Sequence, residues 1–600
     1  MKRLACFFGL SLCALAISAQ QYVVTSITGQ VTCEQSGGEK KTLALRQNLS
    51  PKSILHLPYK AQVELLDEQA RKKYVLKVPG KGLLSEMLKD RQNSAMQLTE
   101  QYLAYLKERV KSKGEMTSKR FSDPATVTRE VAVKKSSFAE EFDIFRQNAF
   151  AKYEQFRQKS ISDYASFMKN AWQSFDAQPP LQEPEYDKVE PEIAPEEPVE
   201  TNTMMEVQVE GDPLAVADLD VSQVRPHQVR EEKVTEGEYV DFEYYGTPMR
   251  VRFTNKELFK IDNLNEKSIA KAYERLKSSD YNNTIHDCIE LRSRHQLSDW
   301  GYLKFLDVFS KACFSSADEA TLLMAFIYQQ SGYKMRLGVA DNHLLMLFSS
   351  KHVIYKKSFF TIGDEYFYPY GTDAASMKIC EAAYPEENSM SLWLQQPPLL
   401  AVDQSEERML KSSRYEDFSV GVSVNRNMIA FFNDYPSSMI DGNALTRWAI
   451  YAKVPFEPQI AETLLPVLRE KIEGLSEKEA VERLLNLVQT ALVYKYDEDV
   501  WGADRAFFSE ETLFYPYADC EDRSILLSRL VHDLLKLPTL LVYYPGHLAM
   551  AVGFTETVPG DGLLLNGKRY VVCDPTYVNS RVGTVMPKMV NKPAQVILME

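Results

Sequence analysis

Three residues near the end of the chain have the types needed for nucleophilic acyl chemistry: Cys520, His547 and Asp574. A thiolate can attack a carbonyl carbon, an imidazole can take and return the proton, and a carboxylate can fix the imidazole tautomer. They stand in the segments Cys520-Glu521-Asp522-Arg523, Pro545-Gly546-His547 and Cys573-Asp574-Pro575-Thr576. A shift of 204 residues lays these without a gap over Ser316-Ala317-Asp318-Glu319, Asp341-Asn342-His343 and Pro369-Tyr370-Gly371-Thr372. Cys520 then falls on Ser316, His547 on His343 and Asp574 on Tyr370. A repeat separates what packing needs from what chemistry needs. Both copies keep the frame, and the second alone keeps nucleophile, base and acid.

The elements that must position these residues can be read around them. Ser524 to Leu535 carries apolar residues at helical spacing and stops before Pro538. Asp519 is the expected N-cap, with Asp522 three residues on, so Cys520 opens the helix. Free N–H groups there favour a thiolate and can hold an oxyanion, while Glu521 and Asp522 oppose ionisation by like charge. A neighbouring imidazolium is therefore needed. Leu540 to Phe554 reads as two strands about Pro545-Gly546. Alternation places His547, Ala549, Ala551 and Gly553 on one face, and their small side chains are expected to admit the helix that carries Cys520. In the first copy His343, Leu345, Leu347 and Ser349 occupy that face, which suggests a filled space. Asp574 ends the strand Arg569 to Cys573, while Cys573 points to the opposite face and is expected in the core.

These residues, Asp519-Cys520-Glu521-Asp522-Arg523 before a helix, Gly546-His547 on a strand and Asp574-Pro575-Thr576, resemble the transglutaminase-like superfamily. The resemblance covers 456–600 well and 240–400 weakly. It implies a papain-like α+β fold with the cysteine helix on an antiparallel sheet, present here in tandem with the first copy degenerate. It also implies Cys520 as nucleophile, His547 as general base and acid, and Asp574 as orienting acid. Some members cross-link amides, some hydrolyse them and some do no chemistry. The expected function is acyl transfer or amide hydrolysis on a protein or peptide, with a non-catalytic binding or scaffold role as the alternative. The first copy departs from the pattern at Ser316 and Tyr370, and Cys313 has no claim to replace Ser316.

The 600 residues are too many for one core, so the chain is expected to be multidomain. A formal charge of -13, with no basic arm against it, argues against nucleic-acid binding. Lys2 and Arg3, the apolar run Leu4 to Ile17 and small residues before Gln20 read as a secretory signal over 1–19. An uncleaved anchor is the competing reading, though the run is short against the ~20 residues of a spanning helix. Export places the protein in the periplasm, at the cell surface or outside the cell. Six cysteines, Cys33, Cys288, Cys313, Cys380, Cys520 and Cys573, would remain, too few for a disulfide scaffold. The eight histidines lack zinc-ligand spacing and no phosphate loop is present, so neither metal nor cofactor is expected.

Residues 20–85 alternate in the manner of a small all-β module, with Val23, Ile27, Val31, Leu55, Leu57, Val63, Leu65, Tyr74 and Leu76. It resembles FecR-type or SH3-like modules. Residues 86–175 are helical in pattern, with a stripe of Phe142, Phe145, Tyr153, Phe156, Phe167 and Trp172. The module and the stripe are the expected places for a protein partner. Residues 176–235 interleave proline with glutamate and are expected to form a disordered linker. The degenerate copy is assigned to 236–400, a β-rich connector with Met428 to Phe432 to 401–455, and the catalytic copy, entered by a helical segment from Glu457 to Leu492, to 456–600.

Overall fold

The computed structural model describes residues 21–97, 172–182, 189–195, 204–226 and 236–599, apart from positions 30, 35–39, 59–60, 68, 71, 90–93, 255–256, 279–280, 381–386 and 503. The signal segment, the stripe from Phe142 to Phe167 and the remaining linker positions lie outside the described residues. The chain is α+β and multidomain, divided into two compact units.

The first unit contains the described part of residues 1–134. Five strands, Tyr22–Thr28, Asn48–Leu49, Gln62–Asp67, Lys72–Leu76 and Ser94–Gln97, form one antiparallel sheet. Thr32–Glu34, Lys40–Thr42, Ile54–Leu57 and Gly80–Leu83 form a second. Val24, Val31, Leu55, Val63, Leu65 and Leu76 are buried together between them, the outcome of alternating apolar positions. Where a helical pattern was expected from residue 86, the described residues form the short helix Leu84–Met87 and the edge strand Ser94–Gln97. Trp172, expected in the helical stripe, instead opens the strand Trp172–Asp176. There Gln173 and Phe175 are buried by the period of two that Trp-Gln-Ser-Phe-Asp also satisfies.

The second unit holds both copies of the repeat. In the first, helix α1 (Ala317–Gln330) leads to β1 (Met335–Ala340), β2 (His343–Ser349), β3 (Phe360–Ile362) and β4 (Glu365–Pro369), with β1-β2-β4-β3 adjacent in that order. In the second, helix α2 (Glu477–Ala491) precedes helix α3 (Cys520–Leu535). Strands β5 (Thr539–Tyr544), β6 (His547–Val552), β7 (Gly562–Leu565), β8 (Lys568–Cys573) and β9 (Gln595–Leu598) follow, in the order β9-β5-β6-β8-β7. The registers match at the same shift: Met335 faces Phe348 and Ala340 faces His343, as Thr539 faces Val552 and Tyr544 faces His547. Asp341 and Asn342 make the first hairpin turn at positive φ, where Gly546 serves in the second.

Buried apolar side chains run without interruption from one copy to the other, through Phe305, Phe326, Phe348, Phe432, Leu484, Leu526 and Met550. Met428 to Phe432, expected in a β-rich connector, lie in the helix Arg426–Asn433, whose N-cap Asn425 accepts from the Asn427 N–H. The helical segment expected from Glu457 to Leu492 consists of two helices, Pro458–Ile472 and α2. Gly474 at φ 78° breaks it, and Ser476 caps the second part.

The stretch expected to be a disordered linker contains ordered pieces. Ala194 N–H donates to Val578 at 2.8 Å, Val207 N–H donates to Gly562 at 2.7 Å, and Leu214–Ala215 runs parallel to β9. Ala194, Val207, Val216 and Val224 are buried. These scattered apolar residues find a sheet edge and an apolar face that the acidic average of the segment conceals.

Candidate active site

Cys520 is the first residue of α3 and follows the N-cap Asp519. The Asp522 carboxylate reaches back to the Asp519 N–H at 3.3 Å, which closes the first turn. Ser524 Oγ donates to the Leu548 carbonyl at 2.9 Å and so pins that turn beside the residue that follows His547. Ile525, Leu526, Leu530 and Val531 of α3 join Leu541, Leu548, Met550, Val552, Val571 and Cys573 in one core. This corrects the expected sheet face. Ala549 and Ala551 lie in a second cluster with Leu540, Val542, Val572, Tyr577, Met589 and Val207. The helix interdigitates with the bulky face, and the alanines accommodate close-passing loops on the other.

His547 and Asp574 are brought together. Both are 1% exposed, and His547 Nε2 lies 2.8 Å from Asp574 Oδ2. Asp574 Oδ1 accepts from the Thr576 N–H at 2.8 Å and the Tyr577 N–H at 3.2 Å, so the loop after β8 holds the carboxylate by its own amides. With the carboxylate as acceptor, Nε2 carries the proton and Nδ1 presents its lone pair. His547 Nδ1 is buried without a hydrogen-bond partner, as are Tyr544 Oη and Thr576 Oγ1. The Tyr544 ring stacks on the imidazole at a centroid distance of 6.4 Å.

Cys520 is partly buried, and its thiol donates to Glu521 Oε2 at 3.1 Å. No hydrogen bond joins it to His547 among the described residues. Enclosure by protein, then the charges of Glu521 and Asp519, push the thiol well above its ordinary value, while the Leu548 N–H works in the opposite sense. Cys313 ends the helix Asp299–Cys313, and burial raises its thiol; Cys573 is wholly buried and raised by the same cause.

The first copy does not assemble the same group. The His343 side chain is 67% exposed, with Nδ1 3.7 Å from Asp318 Oδ1. Ser316 is the N-cap of α1 and its hydroxyl bonds Glu319. Tyr370, in the place of Asp574, donates its hydroxyl to Asp307 at 3.1 Å.

Sequence reasoning saw Glu521 and Asp522 as opposing charges but missed the buried carboxylates that gather with them beside Cys520. Asp497, Asp519 and Asp522, all buried, offer carboxylate oxygens within 4.8 Å of one another, as do Asp497, Asp504 and Glu521. Asp519 and Glu521 also bring carboxylate oxygens within 4.8 Å of the Cys520 sulfur. Burial first, then Glu521, Asp522 and Asp497, hold the Asp519 carboxyl well above its ordinary range, and burial with Asp497 and Glu521 does the same to Asp522. Arg447 answers part of this charge at 2.6 Å from Asp504 and 3.4 Å from Glu521. The spacing Asp519-x-Glu521-Asp522 was a visible signal, whereas nothing local marked Asp497. No protein-family model and no curated protein matches the chain. No helix of the described residues is long and apolar enough to cross a membrane.

Proposed function

We propose that this protein is an exported cysteine-dependent enzyme of the transglutaminase-like kind, with a papain-like arrangement in its second repeat copy and a degenerate first copy. The observation that carries this reading is the buried His547–Asp574 pair with its unpartnered Nδ1, on the residue before Leu548, whose backbone N–H favours the Cys520 thiolate. In the reaction His547 Nδ1 takes the thiol proton, and the Cys520 thiolate adds to the carbonyl carbon of a peptide or side-chain amide. The oxyanion is held by N–H groups at the start of α3. The C–N bond breaks as His547 returns the proton to the leaving amine, which gives an acyl-Cys520 thioester. Water, or an amine in a transfer reaction, then attacks with His547 again as base and frees the thiol. For this the thiol must leave Glu521 and turn toward the imidazole.

The thiol's bond to Glu521 and its raised pKa favour a second reading, a binding or scaffold protein that has lost turnover. Iodoacetamide labelling of all six cysteines at neutral pH, with Cys520→Ala as control, separates the two. Preferential labelling of Cys520, with loss of peptide-amide turnover in Cys520→Ala, is expected. Equal labelling at Cys313 or Cys573 would remove the basis for the enzyme.

A further inference from the structure

Arg523 lies on the apolar helix α3, three residues after the nucleophile, and only 1% of it is exposed. Its guanidinium spends its donors on main-chain carbonyls. Nε reaches Ala518 at 3.3 Å, Nη1 reaches Gln489 at 3.1 Å and Pro575 at 3.4 Å, and Nη2 reaches Leu492 at 2.9 Å. The guanidinium carbon lies 5.3 Å from the Tyr494 ring centroid. Ala518 is two residues before Cys520, and Pro575 directly follows Asp574. One rigid fork thus ties the chain that enters the cysteine helix to the chain that leaves the orienting acid. Gln489, also 1% exposed, completes the tie from α2: its Nε2 donates to the carbonyls of Asp574 at 3.1 Å and Tyr577 at 2.9 Å, and to Ser580 Oγ at 3.0 Å.

A buried arginine is costly, and an apolar residue would pack a helix onto a sheet more cheaply. The repeat shows that this helix-on-sheet frame does not need it. Position 319 of the first copy, the counterpart of Arg523, is a glutamate whose carboxylate takes the Ile261 N–H at 2.9 Å. The copy without the cysteine and aspartate is also without the arginine.

The geometry points to Arg523, assisted by Gln489, as a positioning group that sets the distance between the Cys520 thiol and the His547–Asp574 pair by holding the carbonyls on either side of them. This rests on the catalytic reading above. Neither residue touches the reacting atoms; each acts through the loop of residues 574–580 and the turn before Cys520.

The test is the pH profile of Cys520 alkylation by iodoacetamide in the full chain, read by mass spectrometry in wild type, Arg523→Lys, Gln489→Met and His547→Ala, with melting temperature measured on each. Arg523→Lys keeps the positive charge but offers one nitrogen for four carbonyls, and Gln489→Met changes no charge. A shift in midpoint therefore reports position and not lost charge. Both variants are expected to move the midpoint upward by about one pH unit, with roughly tenfold slower alkylation near neutrality. A folded Arg523→Lys or Gln489→Met with the wild-type midpoint, beside a shifted His547→Ala, would overturn the positioning role and leave the catalytic reading intact. An unshifted His547→Ala would instead sink the catalytic reading, and the positioning role with it.

Discussion

Replacing Asp574 with asparagine isolates the orienting role of the carboxylate, because the geometry says which bonds survive. Asp574 Oδ1 accepts from the N–H groups of Thr576 and Tyr577, and the asparagine carbonyl can keep both. Its amide nitrogen then faces His547 Nε2, which must turn from donor to acceptor. The proton moves to Nδ1, the nitrogen that has to be free to take the thiol proton. By analogy with orienting acids in other triads, turnover is expected to fall by about 10³- to 10⁴-fold. The stability cost should be small, about 1 kcal/mol, for exchanging a charge-assisted bond for a neutral one. Asp574→Ala is a poorer probe, since it strands three buried donors at ~1–3 kcal/mol each and mixes unfolding with chemistry. Peptide-amide turnover and thermal melting on the same preparation of Asp574→Asn make the assay. A well-folded variant with a rate close to wild type would refute the assignment of Nε2 to Asp574 and of Nδ1 to the base.

Two further outcomes follow from burial. Ala551 lies in the filled second cluster, away from α3, so Ala551→Leu should lower stability by roughly 1–3 kcal/mol while the rate per folded molecule is kept; a lost rate with an unchanged melting temperature would place a cleft on that face. Burial pushes the Glu510 carboxyl up to about 8 from its usual 4.5, so the folded state binds the proton more tightly than the unfolded one. Its contribution is present below the unfolded value and is lost as pH rises through about 8. Glu510→Gln keeps an acceptor for the Glu457 N–H, and its unfolding free energy relative to wild type, from denaturant melts, should rise between about pH 5 and pH 8, with a limiting slope of about 1.4 kcal/mol per pH unit. An identical pH dependence in both proteins would show that Glu510 is not the titrating group.

The elements around Cys520, His547 and Asp574 were legible because each is fixed by local signals. Asp519 caps a helix, Gly546 turns a hairpin, and Pro538 and Pro575 end what precedes them. The 204-residue shift carried further than expected: it matches strand registers as well as residue types. What failed were inferences that depend on which of two faces meets a neighbour. Period two divides Leu548 and Met550 from Ala549 and Ala551, but it cannot say which set receives the helix. Small size suggested the alanines, whereas apolar area decides: the helix buries more against leucine and methionine. The linker failed for a related reason. Composition averages over a segment, and a few valines at a sheet edge can be ordered inside an acidic, proline-rich stretch.

Part of the charge around the thiol was illegible because it comes from separate parts of the chain. Glu521 was visible as an opposing charge, but Asp497 reaches Asp519 and Asp522 from an earlier short helix, Asp497–Trp501, and Arg447 reaches Glu521 from the helix Thr446–Lys453. A helix start favours a thiolate by only a modest amount. Here it acts against burial and two like charges, and the thiol ends above its ordinary value. The same residue type at the same helical position would be acidic in a neutral setting. The Cys520 thiol is therefore not activated by its own helix. In the proposed reaction the imidazole must supply that activation when the thiol turns from Glu521, and turnover would then depend on the His547–Asp574 pair and its distance from α3.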